Sequence, residues 1–149
     1  MDTNLSWHEP QIVTRGGRRQ RDFDAEMDEF YTEQMWTSNT SFGDVPHQWR
    51  AYSAGGEEVA RVLLSLRYDS HLRGALPAVM IWNFEVREDL RRRGLYLGSM
   101  IVSDLLSDHA DREVYAGPAS GSEGFWKRTR LQRCECARCA GTDHFVYRP

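Results

Sequence analysis

"AVMIWNFEVREDLRRRGLYLGSMIV", residues 78–102, is the stretch that decides the fold of this chain. Its first nine residues form a nearly continuous apolar run of strand-forming types, which predicts a strand buried on both faces at the centre of a mixed sheet. A basic turn containing Gly94 follows. Apolar residues then return at helical spacing, with Leu97, Ile101 and Leu105 on one face. The stretch therefore predicts a buried strand, a turn and a helix over 97–110.

A strand, a glycine-containing basic turn and a helix together make a phosphate-binding arrangement. The first N–H groups of a helix have no intrahelical partner and lie at the positive end of its dipole. Glycine lets a phosphate approach the backbone, and arginines add forked donors. The alternative is a solvated surface turn. The turn is neither a P-loop, which requires a lysine, nor a Rossmann fingerprint, whose glycine spacing differs.

The rest of the chain alternates short strands and helices. The predicted elements are a strand at 10–17, a charged loop at 18–22, a helix at 23–36, two strands within 47–69 joined at "AGGEE", a strand at 112–119, a short helix at 122–130 and a closing hairpin at 131–149. This order predicts a single α+β domain with a mixed sheet over residues 1–149.

Composition and charge narrow the function classes. The chain has 149 residues, 40% hydrophobic and 28% charged, which is ordinary for a globular domain. Lys and Arg number 19 against 22 Asp and Glu, a net charge of -3, so we expect no nucleic-acid partner. An apolar run of about 18 residues, the minimum for a membrane span, is absent from the sequence. With no signal-peptide pattern at the N-terminus, we expect a cytoplasmic protein without a membrane partner.

Together with "VYAGPASGSEGFWKRTRL", residues 114–131, the opening stretch resembles the GNAT acyl-CoA N-acyltransferases. Those proteins carry an R/Q-x-x-G-x-G/A loop between a central strand and the next helix, and the loop amides hold the pyrophosphate of coenzyme A. The resemblance runs from about Trp49 to the C-terminus. It implies a central mixed, mostly antiparallel β-sheet flanked by helices, with acetyl-CoA as acyl donor.

The loop aligns with that motif in two ways. Without a gap, Arg93, Tyr96 and Gly98 fill the motif positions, so that Tyr96 replaces a glycine and requires a negative φ. Alternatively, Arg91 and Gly94 fill the first positions and the loop is two residues longer. We slightly prefer the ungapped alignment. The cofactor-binding residues that the resemblance implies are Phe84, Val86, Arg91, Arg93, Gly94, Tyr96, Leu97, Gly98, Ser99 and Ser122.

The resemblance also implies the reaction, a direct attack by the amine of a small molecule or peptide on the acetyl thioester. The family polarises the thioester carbonyl with backbone amides of the central strand, here Phe84 to Val86. Glu85 is the candidate base, and its alternative role is an ion pair with Arg87 or Arg91. Tyr115 is the candidate proton donor, or else a packing residue, because Trp126 occupies the family's usual tyrosine position.

Further features bear on partners and on a rival function. An acidic helix face with Asp24, Asp28 and Glu29 favours a cationic amine acceptor, unless it is an ordinary solvated face. The family often dimerises, so a homodimer is possible. Trp126 and the altered loop favour the alternative function, a non-catalytic GNAT-fold module that binds acyl-CoA or another protein.

The three cysteines lie close together near the C-terminus. Cys134, Cys136 and Cys139 with His144 give the pattern C-x-C-x2-C-x4-H, which could hold a structural zinc. The alternative is a hairpin that carries reduced thiols. Between these interpretations we assign no metal.

Overall fold

A computed structural model describes residues 4–23, 30, 36, 46–91, 96–119 and 121–149. Its strands are β1 (Leu5–His8), β2 (Ile12–Arg15), β3 (Arg18–Arg21), β4 (His47–Ala54), β5 (Glu57–Tyr68), β6 (Ala78–Val86), β7 (Val114–Ala116), β8 (Gln132–Arg133) and β9 (Phe145–Tyr147). The helices with described bounds are α1 (Leu97–Asp108) and α2 (Glu123–Lys127). Single 3₁₀ turns lie at Glu88–Leu90 and Ala137–Cys139.

Seven of the strands form one mixed sheet in the order β1-β4-β5-β6-β7-β9-β8. β6 and β7 run parallel, with Val79 opposite Val114 and Ile81 opposite Ala116. Antiparallel pairing joins β1 to β4, and joins β9 to both β7 and β8. The predicted α+β class with β6 inside a mixed sheet is therefore confirmed. The extent of the domain over residues 1–149 stays a prediction.

Two elements near the N-terminus differ from the sequence prediction. Residues 18–22 were expected to form a charged loop, but Arg18–Arg21 is strand β3 and pairs antiparallel with β2. Gly16 and Gly17, with φ of 56° and 76°, form the two-residue turn whose geometry suits a hairpin, and the turn therefore overrides the low strand propensity of the charged residues. Strand β1, to which no element was assigned, pairs with β4.

The chain divides into two compact units, and the first contains residues 1–63 and 83–98. Its core includes an aromatic cluster in which Trp36 meets Phe23 and Trp49 edge to face, with ring centroids 5.7 and 6.1 Å apart. Phe23 and Phe30 from the predicted apolar helix face are buried. The other residues of that face, Met27 and Tyr31, and the acidic residues Asp24, Asp28 and Glu29 lie outside the described residues.

The second unit contains residues 64–82 and 99–149. Its core packs β6, β7 and β9 side chains together with two cysteines: Ala78, Met80, Tyr115, Cys134, Cys139 and Val146. Within α1, Ile101, Val102, Leu105 and Leu106 are buried, as their helical spacing predicts. Each such burial contributes roughly 1.5–3 kcal/mol. In the described part of the chain, none of the helices combines the length and apolarity that crossing a bilayer requires.

Candidate functional site

The second half of β6, which belongs to the predicted site, is partly open to solvent. Ala78 to Ile81 are buried and pair with β7 as far as Ile81, whereas Trp82 is 48% exposed and Asn83 to Val86 are partly exposed. β6 therefore continues beyond Ile81, its last residue paired with β7, into a segment that is partly open to solvent. We call this segment, residues 82–86, the half-open end of β6. Phe84 and Val86, the predicted amide donors, lie in this end, which differs from the expectation of a strand buried on both faces.

Arg87 anchors the chain where it leaves β6. Its backbone N–H donates to the Val59 carbonyl at 2.9 Å, and its guanidinium donates to the Glu58 carbonyl at 3.1 Å. The same guanidinium forms a forked pair with Asp89 at 2.7 and 3.0 Å. Arg87 is buried, and such charge-assisted bonds are among the strong ones in proteins. The position of the strand end is therefore well defined.

Glu85 and Arg91 meet at the same end of β6. Arg91 donates from Nε to the Val86 carbonyl at 2.6 Å and from Nη2 to Glu85 Oε1 at 3.2 Å. The other carboxylate oxygen of Glu85 accepts a bond from Trp36 Nε1 at 2.7 Å. Of the two predicted ion-pair partners, Arg91 reaches Glu85, and Arg87 is engaged by Asp89. The role of Glu85 as a base stays a prediction.

Tyr96 enters α1 in a left-handed conformation, with φ of 52°. The expectation of a negative φ at this position is wrong. Positive φ is the backbone region that glycine adopts most readily, so the position keeps glycine-type geometry even though tyrosine occupies it. This geometry favours the ungapped alignment, in which Tyr96 stands in place of a motif glycine. The tyrosine side chain itself is 78% exposed.

The turn leads directly into the first helical residues. Leu97 is buried, and Gly98 and Ser99 are partly exposed in the first turn of α1. Their N–H groups have no intrahelical acceptor, which suits them to an anionic ligand. Arg93 and Gly94, which belong to the predicted contacts, lie outside the described residues.

Tyr115, the predicted proton donor, is fully buried in the second unit. Its hydroxyl accepts a bond from the His71 backbone N–H at 3.1 Å and donates to Glu113 Oε2 at 3.1 Å. Burial raises the pKa of Tyr115, which makes it a weaker acid than a free tyrosine. The structure brings Tyr115 together with His71 and Glu113, and its catalytic role stays a prediction.

The second-motif residues close the predicted list. The Ser122 hydroxyl donates to the Ala119 carbonyl at 2.7 Å, so its proton is used within the turn before α2. Trp126 is buried in α2. The contact of Ser122 with a cofactor stays a prediction. An indole cannot supply the acidic proton of the tyrosine that it replaces.

The cysteine side chains converge, but with a different histidine from the one in the sequence pattern. His71, Cys134, Cys136 and Cys139 place their ligand atoms within 4.8 Å of one another. His144 instead lies beside Gly117, and its buried Nδ1 has no hydrogen-bond partner among the residues that the structure describes. Sequence spacing does not reveal His71, because 63 residues separate it from Cys134.

The electrostatics of this cluster follow from its partial burial. Burial, and then the positive charge of Arg138, lower the pKa of His71, which favours the neutral form of its imidazole. Burial, and then the neighbouring thiols, raise the pKa of Cys139 to about 12. A neutral imidazole has one ring nitrogen free to accept a proton or to bind a metal.

No protein-family model matches the sequence, and no curated protein matches it. Solved structures do resemble the chain. The Bacillus subtilis N-acetyltransferase YlbP in complex with coenzyme A has a TM-score of 0.52 at 19% identity, over 70% of this chain and 68% of that chain. An acetyltransferase from Thermus thermophilus has a TM-score of 0.53 at 17% identity, over 70% and 66%. The chain thus spans about two thirds of each neighbour, and it has a GNAT-like fold.

A third similar structure corrects the expectation that nucleic acid is no partner. The KacTA–DNA complex has a TM-score of 0.57 at 14% identity and covers 97% of this chain and 92% of that chain. A protein of this fold therefore occurs in a complex with DNA. Net charge is a weak guide here, because contacts to phosphates depend on local basic surface rather than on the sum over the chain. The exclusion drawn from the net charge of -3 is wrong.

Proposed function

We propose that this protein is an acyl-CoA-dependent N-acyltransferase that moves an acetyl group from acetyl-CoA to an amine of a small molecule or peptide. The observation that carries the proposal is the half-open end of β6, followed in the chain by Tyr96 with its positive φ and by the first turn of α1. Such a helix start offers backbone donors and a positive dipole end to a pyrophosphate.

In this proposal the chain contributes mainly backbone groups. The amides of Leu97, Gly98 and Ser99 bind the pyrophosphate, together with Arg93 and Gly94. The amides of Phe84 and Val86 lie along the acyl arm and polarise the thioester carbonyl as negative charge develops on its oxygen. Arg91 supports this arrangement, since it binds the Val86 carbonyl and so orients the last peptide unit of β6.

Glu85 is the proposed base that removes a proton from the acceptor ammonium. Trp36 and Arg91 hold its carboxylate from two sides, which fixes the orientation of the carboxylate. The neutral amine then attacks the thioester carbonyl carbon, the carbon–sulfur bond breaks, and coenzyme A leaves as a thiolate. The second proton of the attacking nitrogen passes to water as the amide forms, and water supplies a proton to the thiolate, because Glu113 and the His71 backbone already engage the Tyr115 hydroxyl.

The test combines ligand binding with turnover. We expect acetyl-CoA to raise the melting temperature, because a ligand at a concentration of 100 times its Kd stabilises the folded state by about 2.7 kcal/mol. ATP, which lacks the pantetheine arm, should raise the melting temperature less. A thiol-release screen over amines, amino acids, aminoglycosides and peptides then identifies the acceptor. Glu85→Gln should keep the thermal shift and lower turnover by about 10²-fold or more.

The possible results separate the candidate functions. Failure of millimolar acetyl-CoA to shift the melting temperature would contradict the cofactor assignment. A clear shift without thiol release from any acceptor would instead support a non-catalytic acyl-CoA-binding module, the function favoured by the buried Trp126 at the family's tyrosine position.

A further inference from the structure

Four soft-ligand side chains from separate parts of the second unit converge on one point. His71 Nδ1 lies 3.1 Å from Cys139 Sγ, 3.2 Å from Cys136 Sγ and 4.0 Å from Cys134 Sγ. The sulfurs of Cys134 and Cys136 are 3.3 Å apart. One ring nitrogen cannot accept good hydrogen bonds from three thiols at once, and thiols are weak donors. Hydrogen bonding therefore accounts poorly for this convergence.

The separations match the size of a tetrahedral metal cage. With bonds of about 2.3 Å to sulfur and about 2.05 Å to nitrogen, tetrahedral zinc places its ligand atoms about 3.6 to 3.8 Å apart. The observed separations start at 3.1 Å and remain within 4.8 Å, so small side-chain rotations bring all four atoms to bonding distance. Three thiolates and one imidazole are a donor set that zinc prefers.

The imidazole of His71 is held in the orientation that metal binding needs. Its Nε2 faces the Tyr68 hydroxyl at 3.3 Å, while Nδ1 points at the three sulfurs. A proton on Nε2 donated to Tyr68 leaves the Nδ1 lone pair directed into the cluster. Metal-binding histidines commonly use their second nitrogen in this way, which fixes both tautomer and ring orientation.

The backbone around the cluster is anchored before any ligand arrives. The Cys134 N–H donates to the His144 carbonyl at 2.8 Å, and the Cys139 N–H donates to the Cys136 carbonyl at 3.0 Å. The His71 N–H binds the Tyr115 hydroxyl. Because these bonds fix all three segments, little ordering entropy remains to be lost on metal binding.

Two arginine side chains lie where they would balance the negative charge of a zinc-bound site. Three thiolates around a divalent cation leave one net negative charge. Arg148 Nη2 lies 3.9 Å from Cys134 Sγ, and its Nε binds Glu113 at 2.8 Å. Arg138 is held to the Ser70 carbonyl, next to His71. The surroundings thus favour a site of this charge.

We propose that His71, Cys134, Cys136 and Cys139 form a structural zinc site that ties the loop between β5 and β6 to the C-terminal hairpin β8–β9. Four protein ligands fill a tetrahedral shell and leave no position for substrate, so the metal is structural rather than catalytic. Cys134 and Cys139 are buried and the other two ligands partly buried, in keeping with a closed site.

The test is the metal content of the full-length chain, purified with a reductant, without chelator and without added metal. We expect about one zinc ion per chain, measured by inductively coupled plasma mass spectrometry. His71→Ala and Cys139→Ser should lose it, whereas His144→Ala should keep it. Tyr68→Phe retains all four ligands and should weaken zinc binding about 10-fold, measured by competition with a chelating dye.

Two results would overturn the site. One is a zinc content near zero. In that case either a thiol titration finds all three cysteines reduced and free, or the chain mass is lower by two hydrogens because two of them form a disulfide. The other is release of the metal by His144→Ala but not by His71→Ala. If the variants do not fold, cobalt added to the chelator-treated wild type decides, because three thiolates in a tetrahedral shell give strong sulfur-to-cobalt and d–d absorption, and their absence contradicts the proposal.

Discussion

Tyr96 carries the least favourable backbone conformation among the described non-glycine residues. Its φ of 52° brings Cβ close to the following carbonyl, which costs a non-glycine residue about 1–2 kcal/mol. Its ring is 78% exposed, so side-chain packing offsets little of this cost. The position nevertheless begins the turn into α1, where a left-handed residue redirects the chain. Strain of this kind concentrates at binding sites.

Substitutions at Tyr96 should rank by their tolerance of positive φ. We expect Tyr96→Gly to raise the free energy of unfolding by about 0.5 kcal/mol, since relief of strain exceeds the extra entropy of glycine in the unfolded chain. The β-branched Tyr96→Val should lower the free energy of unfolding by about 1 kcal/mol. Tyr96→Asn should have a free energy of unfolding between those of the glycine and valine variants. Urea denaturation measures the free energy of unfolding of each variant, and an unchanged m-value shows that the variants can be compared. A valine variant as stable as the glycine variant would show that the backbone is relaxed here.

At the scale of elements, the end of β6 and the start of α1 define the proposed cofactor site. β6 ends at Val86, Arg87 ties that end to β5 through Val59 and Glu58, and α1 starts at Leu97. A bulky side chain at the first turn of α1 would occupy the space above its free N–H groups. Position 98 is therefore the most sensitive place to test the site.

Gly98→Trp should abolish coenzyme A binding, because the indole would cover the amides proposed to hold the pyrophosphate. Ser107→Trp is the matched control, since it adds the same side chain at an exposed position near the other end of α1. Isothermal titration with coenzyme A measures both, and circular dichroism checks that each variant is folded. Equal affinity in Gly98→Trp and the wild type would refute the placement of the site.

At the scale of the whole molecule, net charge is a poor guide to partners. The sum of -3 led to the exclusion of nucleic acid, yet the KacTA–DNA complex shares the fold over 97% of this chain. The proposed zinc site also concerns more than one element, because its ligands come from a loop and from the C-terminal hairpin of the second unit. Its effect should therefore spread over segments far apart in sequence.

Removal of zinc by a chelator should loosen those segments together. We expect faster amide exchange in residues 70–77 and 132–147, because the metal no longer links them, with the hairpin β2–β3, which contains no ligand, as internal reference. Hydrogen exchange with mass spectrometry follows each segment. A chelator that leaves exchange in 132–147 unchanged would contradict a structural role of the metal.

Local patterns predicted β6, the hairpin turn between β4 and β5, and the buried face of α1 correctly. Each depends on residues a few positions apart: a continuous apolar run, a glycine pair and a repeat near 3.6 residues. The resemblance to GNAT proteins, read from the same stretch, predicted the fold that the structural neighbours share. The charged strand β3 escaped prediction because the turn before it outweighs the propensity of its own residues.

The sequence by itself determined β6, the turn between β4 and β5, the buried face of α1 and the three clustered cysteines, because those features are local. Only the tertiary structure decided that His71 rather than His144 meets the thiols, that Glu85 lies between Trp36 and Arg91, and that Tyr96 adopts a positive φ. The contact of His71 with Cys134 joins residues 63 positions apart and that of Glu85 with Trp36 joins residues 49 positions apart, and no local pattern in the sequence links them. The φ of Tyr96 reflects the path that the chain must take from β6 into α1.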